Sequence, residues 1–104
     1  MEAAVDIGRR QIVSHLKRLE PRLRACGIET LAIFGSRARG DNRPDSDLDI
    51  LVDVRPGIKF SLLDLVGVCQ LISDELDIAA NMFIRRSLDE NMARSIQPDI
   101  VEIF

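Results

Sequence analysis

At 104 residues the chain has the length of one small domain, and we take residues 1–104 as that single domain. A net charge of −3 and an isoelectric point near 5.1 argue against a protein that binds nucleic acid through bulk electrostatics. No apolar run approaches the roughly 20 residues that span a membrane, and no signal peptide is apparent, so we expect a cytoplasmic protein without membrane contacts.

The first predicted element is a helix over residues 3–25. Its apolar residues recur at steps of four, three and four and form one stripe, which consists of Ile12, Leu16, Leu19 and Leu23. Pro21 lies inside this pattern and should kink or divide the helix, and Gly27 should end it. The segment IETLAIF, residues 28–34, is rich in β-branched and large apolar residues and predicts a strand that ends at Gly35.

A turn-rich segment follows, and after it comes the clearest strand of the chain. Residues 35–46 combine glycine, asparagine, proline and charged residues, which is typical of a loop. Residues 47–54 (DLDILVDV) alternate as a strand does, because one face is wholly apolar and the other carries Asp47, Asp49 and Asp53. The strand therefore presents its acids on one side.

The rest of the chain predicts two helices and two strands. A helix covers about 61–75, and its apolar side is formed by Leu62, Leu65, Val66, Cys69 and Ile72. Residues 77–84 predict a third strand, and residues 87–96 predict a short helix with a serine N-cap. Residues 99–104 form either a short terminal strand or a docked tail. This order predicts an α+β fold in which helices pack against a small mixed β-sheet.

The basic and sulfur-containing side chains leave alternatives open. Twelve arginines against two lysines favour binding of phosphate or carboxylate groups, because a guanidinium forms paired contacts with them, but a GC-rich genome explains the bias equally well. Cys26 and Cys69 lack the spacing of metal ligands. One disulfide between them is conceivable, and buried free thiols in a reducing compartment are preferred.

Two like charges stand at the start of the second strand. Asp47 and Asp49 project to the same face with Cα atoms about 6.5–7 Å apart, where two ionised carboxylates repel each other. A divalent cation removes that repulsion, and Mg²⁺ prefers carboxylate oxygens combined with substrate phosphates and water. The alternative interpretation is a solvated edge strand whose acids belong to a turn.

The loop before this strand carries groups that suit phosphate. Gly35 permits a tight turn after the first strand, and Ser36 offers a hydroxyl and an amide to a phosphate oxygen. Arg37, Arg39 and Arg43 are able to neutralise a polyphosphate, although a solvated loop explains each of them equally well alone. Together with the acidic pair, these residues predict a site for the metal-bound phosphates of a nucleotide. Neither a P-loop nor a Gly-x-Gly-x-x-Gly motif is present.

The order Gly35-Ser36, ten residues, then Asp47-Leu48-Asp49 resembles the signature of the polymerase-β-like nucleotidyltransferases. The segments FGSRARG and SDLDILV resemble in particular their minimal, MNT-type members. The resemblance extends over nearly the whole chain, through SLLDLVG in the middle and PDIVEIF at the end. It implies that Ser36 contacts the phosphates of ATP. It also implies that Asp47 and Asp49 bind two Mg²⁺ ions, which activate a hydroxyl and stabilise the departing pyrophosphate.

This chain departs from the family at the position of the third carboxylate. Matching the middle helix without gaps places that position at Asn81, whose amide oxygen is neutral and a much poorer base than a carboxylate. We therefore expect proton removal from the attacking hydroxyl to suffer more than nucleotide binding. Asp77 shares strand parity with Asn81 but lies about 13 Å away along the strand, so only a bulge or a different register brings it in.

The resemblance and the departure leave three functions open. The first is transfer of AMP from ATP to a tyrosine of a HEPN-domain toxin, which this chain neutralises as its antitoxin. The second is a binding module that keeps the fold, has lost catalysis and neutralises its partner by forming a complex, and Asn81 favours it. The third is transfer to a small molecule or an RNA end, against which the acidic isoelectric point and the lack of an added substrate domain count. The base preference, the number of metals and the oligomeric state stay open.

Overall fold

The structure of the chain, a computed structural model, describes residues 7–104, so positions 3–6 of the predicted first helix lie outside the described residues. The α-helices are α1 Arg9–Ala25, α2 Gly35–Arg39, α3 Leu62–Leu76 and α4 Glu90–Ile96. The strands are β1 Ile28–Phe34, β2 Leu48–Val54, β3 Ala80–Ile84 and β4 Val101–Glu102. Short 3-10 turns flank α4 at Arg85–Ser87 and Gln97–Asp99.

The four strands form one mixed sheet in the order β3-β2-β1-β4. The central pair, β1 and β2, is antiparallel, and β4 joins the other side of β1 antiparallel. Because α3 returns the chain across the sheet, β3 pairs with β2 in the parallel direction. The prediction of an α+β fold with a small mixed sheet is confirmed, and the last segment contributes a strand.

Each face of the sheet has its own apolar cluster. The larger cluster joins α1 and α3 to the alternate positions of β2 that point to the same side, Leu48, Ile50 and Val52. The opposite face carries a smaller cluster, and α4 covers it through Ile96, which packs with Ala32, Phe34 and Leu51. The face that carries Asp49 and Asp53 is therefore partly covered by α4 rather than open along its whole length.

Pro21 lies inside one continuous helix α1, so of the two predicted outcomes the division of the helix is wrong. Proline removes a main-chain donor from the helix interior. Pro21 faces solvent, however, and the buried side chains of Leu19 and Leu23 anchor the turns on both sides of it. Packing against the core therefore holds the helix together at a position where the local sequence disfavours it.

The apolar side of α3 differs from its prediction as well. The buried stripe consists of Val68, Ile72 and Leu76, whereas the side chains of Leu62 and Val66 are 75% and 56% exposed. Residues two apart point to nearly opposite sides of a helix, so a stripe that starts at Val68 leaves Val66 outside. The N-terminal half of α3 thus presents apolar side chains to solvent.

Two further predictions need correction. The segment predicted as a loop over 35–46 begins with the short helix α2. The last helix begins at Glu90 rather than at Ser87, because the side chain of Asp89 accepts a 2.8 Å hydrogen bond from the amide of Met92 and caps it. Both cysteines are free thiols, as preferred, although Cys26 is exposed. Among the described residues, no helix combines the length and the apolar character needed to cross a membrane.

Candidate active site

Gly35 ends β1 and brings the main chain against a carboxylate. Its φ of +77° lies in the left-handed region, which side chains other than glycine disfavour. A Cβ atom at this position would lie 2.5 Å from Asp49 Oδ2, closer than real contacts allow. Glycine is therefore needed here twice, for the backbone turn into α2 and for the close approach of Asp49.

Asp49 occupies the centre of the site because both neighbours of β2 place a residue beside it. The antiparallel register sets Phe34, the last residue of β1, opposite Asp49. The parallel register sets Asn81 of β3 opposite it on the other side. Asp47 precedes the first residue of β2 and is exposed. The C-terminal end of β1 and the N-terminal ends of β2 and β3 thus meet at the same end of the sheet.

Asn81 connects the two acids. Its Nδ2 donates hydrogen bonds to Asp47 Oδ2 at 3.1 Å and to Asp49 Oδ1 at 3.3 Å. Matching the sequence to the family placed Asn81 at the position of the third carboxylate, and in the structure Asn81 contacts both acids. Its role as a donor between the two carboxylates has no signal in the sequence, since it depends on the register between β2 and β3.

The surroundings of Asp49 favour its protonated form. Partial burial raises the pKa of Asp49 above its ordinary value of 3.8, and the negative charge of Asp47 raises it further. The hydrogen bond from Asn81 and the positive charge of Arg39 lower the pKa, but they do not cancel the effect of burial. Keeping Asp49 ionised in this pair therefore costs free energy without a bound cation.

Arg37 serves the site in a different way from the one predicted. Its side chain is only 1% exposed, and it donates hydrogen bonds to the carbonyl oxygens of Ser46, Pro44 and Ile7 at 2.8, 3.1 and 3.3 Å. The guanidinium thus holds the segment that leads into Asp47. A buried side chain engaged in this way is poorly placed to contact phosphate, and the sequence offers no signal that separates it from the exposed arginines.

Arg39 lies at the surface beside the acidic pair. Its guanidinium donates to Asp41 at 3.1 Å and to Asp99 at 2.8 Å, and its side chain is 44% exposed. Exposed ion pairs of this kind are weak, so they leave Arg39 able to exchange partners. Its charge also reaches Asp49, whose pKa it lowers. Arg39 is therefore better placed than Arg37 to contact an anionic ligand.

The structure also shows the positions of Ser36 and Asp77, which were considered for the site from the sequence. Ser36 is partly buried in the first turn of α2, and its carbonyl oxygen accepts the amides of Gly40 and Asp41 at 2.8 and 3.1 Å. Asp77 is the C-cap of α3 with a φ of +55°, so it lies outside β3 and does not share a strand face with Asn81. The predicted strand over 77–84 begins only at Ala80.

The donor set at this end of the sheet fits a small divalent cation. Asp47 and Asp49 supply carboxylate oxygens. Asn81 supplies an amide oxygen, on the same side chain whose Nδ2 donates hydrogen bonds to the two acids. Within residues 7–104 no group of three or more His, Cys, Asp or Glu side chains is arranged to hold a metal ion. Two carboxylates with an amide are a weaker ligand set than three carboxylates.

Comparison with known proteins finds a matching family. A family described as "Nucleotidyltransferase domain" matches residues 9–102. A protein of Methanocaldococcus jannaschii, provisionally named a protein adenylyltransferase, is 33% identical over 90 residues, which cover 86% of this chain and 87% of that protein.

Two solved structures share the fold. One, described provisionally as a minimal nucleotidyltransferase, superposes with a TM-score of 0.78 at 22% identity over 94% of this chain and 98% of its own. The other is a complex of a tri-AMPylated HEPN toxin of Shewanella oneidensis with an MNT antitoxin, with a TM-score of 0.67 at 15% identity over 92% of this chain and 71% of the matched chain.

Proposed function

Because the chain belongs to the nucleotidyltransferase domain family, we propose that it transfers AMP from ATP to a hydroxyl group of a partner protein. The observation that carries this proposal is the meeting of Asp47, Asp49 and Asn81 beside the turn at Gly35. The protein adenylyltransferase name of the M. jannaschii relative supports a protein as the acceptor.

The reaction joins the acceptor oxygen to the α-phosphorus of ATP. The bond between that phosphorus and the oxygen that bridges to the β-phosphate breaks, and pyrophosphate leaves with the electron pair. The acceptor hydroxyl gives up its proton to solvent water. Asp47 and Asp49 are the residues that would hold Mg²⁺. When bound, Mg²⁺ would offset the negative charge of the triphosphate and favour ionisation of the acceptor hydroxyl. Arg39 and Ser36 would contact the phosphates from the α2 side.

We further propose that the partner is a HEPN-domain toxin, that the acceptor is a tyrosine, and that this chain is the antitoxin. The shared fold with the MNT antitoxin bound to a tri-AMPylated HEPN toxin supports this assignment. Tyrosine is the acceptor side chain that best suits this site, because its phenolic proton is more acidic than the hydroxyl proton of serine or threonine. A site without a third carboxylate therefore removes the proton of a tyrosine more readily than that of a serine or threonine.

The alternative function is neutralisation by complex formation alone. Asn81 favours it, because in this structure the side chain offers an N–H donor to the two acids where a third carboxylate would supply both charge and basicity. In that case the chain binds the toxin stably, and nucleotide transfer contributes little to neutralisation.

The two functions are separated by incubating the purified chain with Mg²⁺, the HEPN-domain protein encoded beside it, and ATP labelled at the α-phosphate. Label on the partner, and none when the γ-phosphate carries the label, supports AMP transfer. A stable complex without label supports the binding module. Neither label nor complex overturns both.

Variants of the acidic pair complete this experiment. We expect Asp47→Ala and Asp49→Ala each to abolish Mg²⁺-dependent nucleotide binding and labelling while the fold is retained, because removing one acid relieves repulsion. Asp45→Ala is the matched control, since Asp45 is exposed in the same loop. Loss of the fold in either site variant, or nucleotide binding that survives both changes, would contradict the assignment.

A further inference from the structure

The N-terminal half of α3 exposes three large apolar residues, of which Leu62 and Val66 lie one helical turn apart. Leu62 is 75% exposed and Val66 is 56% exposed, and residues four apart lie on the same face of a helix. Single exposed apolar residues are ordinary, but neighbouring ones beside a groove indicate a surface that binds something. Val66 lines such a groove.

The groove runs along β3 and ends at the candidate active site. It consists of two adjoining cavities of about 300 Å³ and about 220 Å³, which share Leu65, Met82 and Phe83. The larger cavity extends to Val66 on one side and to Asn81 on another, and the smaller one continues to Leu88. We call this feature the β3 groove. Its walls are apolar, and its end at Asn81 is polar.

The outer edge of β3 does not accept a further strand at this point. The thiol of Cys69 donates a hydrogen bond to the carbonyl oxygen of Ala80 at 3.1 Å, so α3 already occupies that edge. A ligand that contacts the groove beside Ala80 therefore does so with its side chains rather than by main-chain pairing. An apolar side chain with a polar tip fits a groove that is apolar along its walls and polar at Asn81.

The size of the surface argues against a second copy of this chain as the occupant. A stable interface buries about 800 Å² and about 20–30 residues on each partner. The β3 groove together with Leu62 and Val66 supplies far fewer residues, which suits a protruding segment better than the broad face of another globular chain.

We propose that the β3 groove, together with Leu62 and Val66, docks the acceptor segment of the partner protein and leads its tyrosine to Asn81. The proposal rests on the proposed function, since it assigns a surface to the acceptor of that reaction. An aromatic ring in the groove places a hydroxyl tip next to Asn81, which contacts both Asp47 and Asp49.

The test compares apolar residues of α3 that line different cavities. The double variant Leu62→Gln/Val66→Gln introduces polar, uncharged groups at Val66, which lines the β3 groove, and one helical turn before it, so it leaves the charge of the active site unchanged. Leu63→Gln is the matched control, because Leu63 is 82% exposed but lines a different cavity beside Ala25 and Cys26. Affinity for the purified HEPN-domain protein encoded beside the chain and affinity for Mg²⁺-ATP are measured separately.

We expect the double variant to weaken partner binding by about tenfold or more and to keep Mg²⁺-ATP affinity, while Leu63→Gln changes neither by more than about twofold. Equal partner binding by the double variant, equal weakening by Leu63→Gln, or no binding by the native chain overturns the proposal. A native dimer that the double variant dissociates also overturns it. A native complex that forms without AMP transfer leaves the docking surface in place and overturns only the enzymatic function.

Discussion

Asn81 stands directly opposite Asp49 in the parallel pairing of β2 and β3, and its Nδ2 lies 3.3 Å from Asp49 Oδ1. The same nitrogen is 3.1 Å from Asp47 Oδ2. A neutral donor thus offsets part of the repulsion between two carboxylates when no cation is bound. A cation at the pair must compete with this donor.

Asn81→Asp should strengthen metal binding. A third carboxylate adds charge and an oxygen ligand, so we expect the affinity for Mg²⁺ or Mn²⁺ to rise by about tenfold or more. In metal-free buffer the same variant should be less stable than the native chain, because a donor is replaced by a third negative charge. Calorimetric Mn²⁺ titration and thermal unfolding with and without Mg²⁺ measure the two effects.

The control for this change is Asn91→Asp, which adds the same charge at an exposed position of α4. It should leave metal affinity unchanged. If Asn81→Asp binds metal no better than Asn91→Asp, position 81 does not contribute to the cation site.

Asp49→Asn should stabilise the metal-free protein at neutral pH. Burial raises the pKa of Asp49 above 3.8, so the folded chain binds more protons than the unfolded chain at pH values between the two pKa values. Native stability therefore falls as pH rises through the folded pKa, and above it the ionised group is a constant cost. The asparagine variant carries no such charge, and it keeps an acceptor for Asn81.

Denaturant unfolding in the presence of a chelator, from pH 4 to pH 7, tests this expectation. The advantage of Asp49→Asn should grow as pH rises. Asp45→Asn, which removes an exposed acid from the loop before β2, is the control variant. A native chain that gains stability relative to Asp49→Asn as pH rises would show that Asp49 is stabilised as an anion.

Gly35→Ala should damage both stability and the site. The left-handed conformation alone costs a non-glycine residue about 1–2 kcal/mol, and the new methyl group would collide with Asp49. We expect a total loss of about 2–4 kcal/mol in the free energy of unfolding and weaker metal binding through displacement of Asp49. Chemical denaturation and metal titration measure both.

Gly57→Ala separates the two causes. Gly57 has a φ of +83°, close to that of Gly35, but no neighbouring atom lies within 4 Å of the place that a Cβ atom would take there. This control should show the backbone cost alone and normal metal affinity. Equal effects of the two alanine variants would mean that the contact with Asp49 is unimportant.

Arg37→Met should destabilise the chain without a direct effect on ligands. The change keeps most of the buried volume but leaves the carbonyl oxygens of Ser46 and Pro44 without their donor, for an expected loss of about 2–4 kcal/mol. Arg37→Lys should recover little, because an ammonium group does not reproduce the planar arrangement of donors.

Arg43→Met is the matched control in the same loop, since Arg43 is exposed. It should change stability by less than about 0.5 kcal/mol. Normal stability of Arg37→Met combined with lost nucleotide binding would assign Arg37 to phosphate after all.

Much of the candidate site follows from local sequence. The alternation in residues 47–54 places Asp47 and Asp49 on one face whatever the strand packs against. The connection over residues 35–47 allows either a parallel or an antiparallel pair, and only the structure shows the antiparallel register that sets Gly35 beside Asp49. The approximate positions of the helices α1, α3 and α4 were also predictable from local sequence, although the buried side of α3 and the N-cap of α4 were not.

What the sequence determined by itself, then, is the succession of the main helices and strands and the placement of Asp47 and Asp49 on one face, because these depend on periodicity and on spacing along one strand. Only the tertiary structure decided that Asn81 donates to both acids, that Arg37 is buried, and that Leu62 and Val66 face solvent. Each of these depends on contacts between residues distant in sequence, and the spacing of residues along a chain carries no record of such contacts.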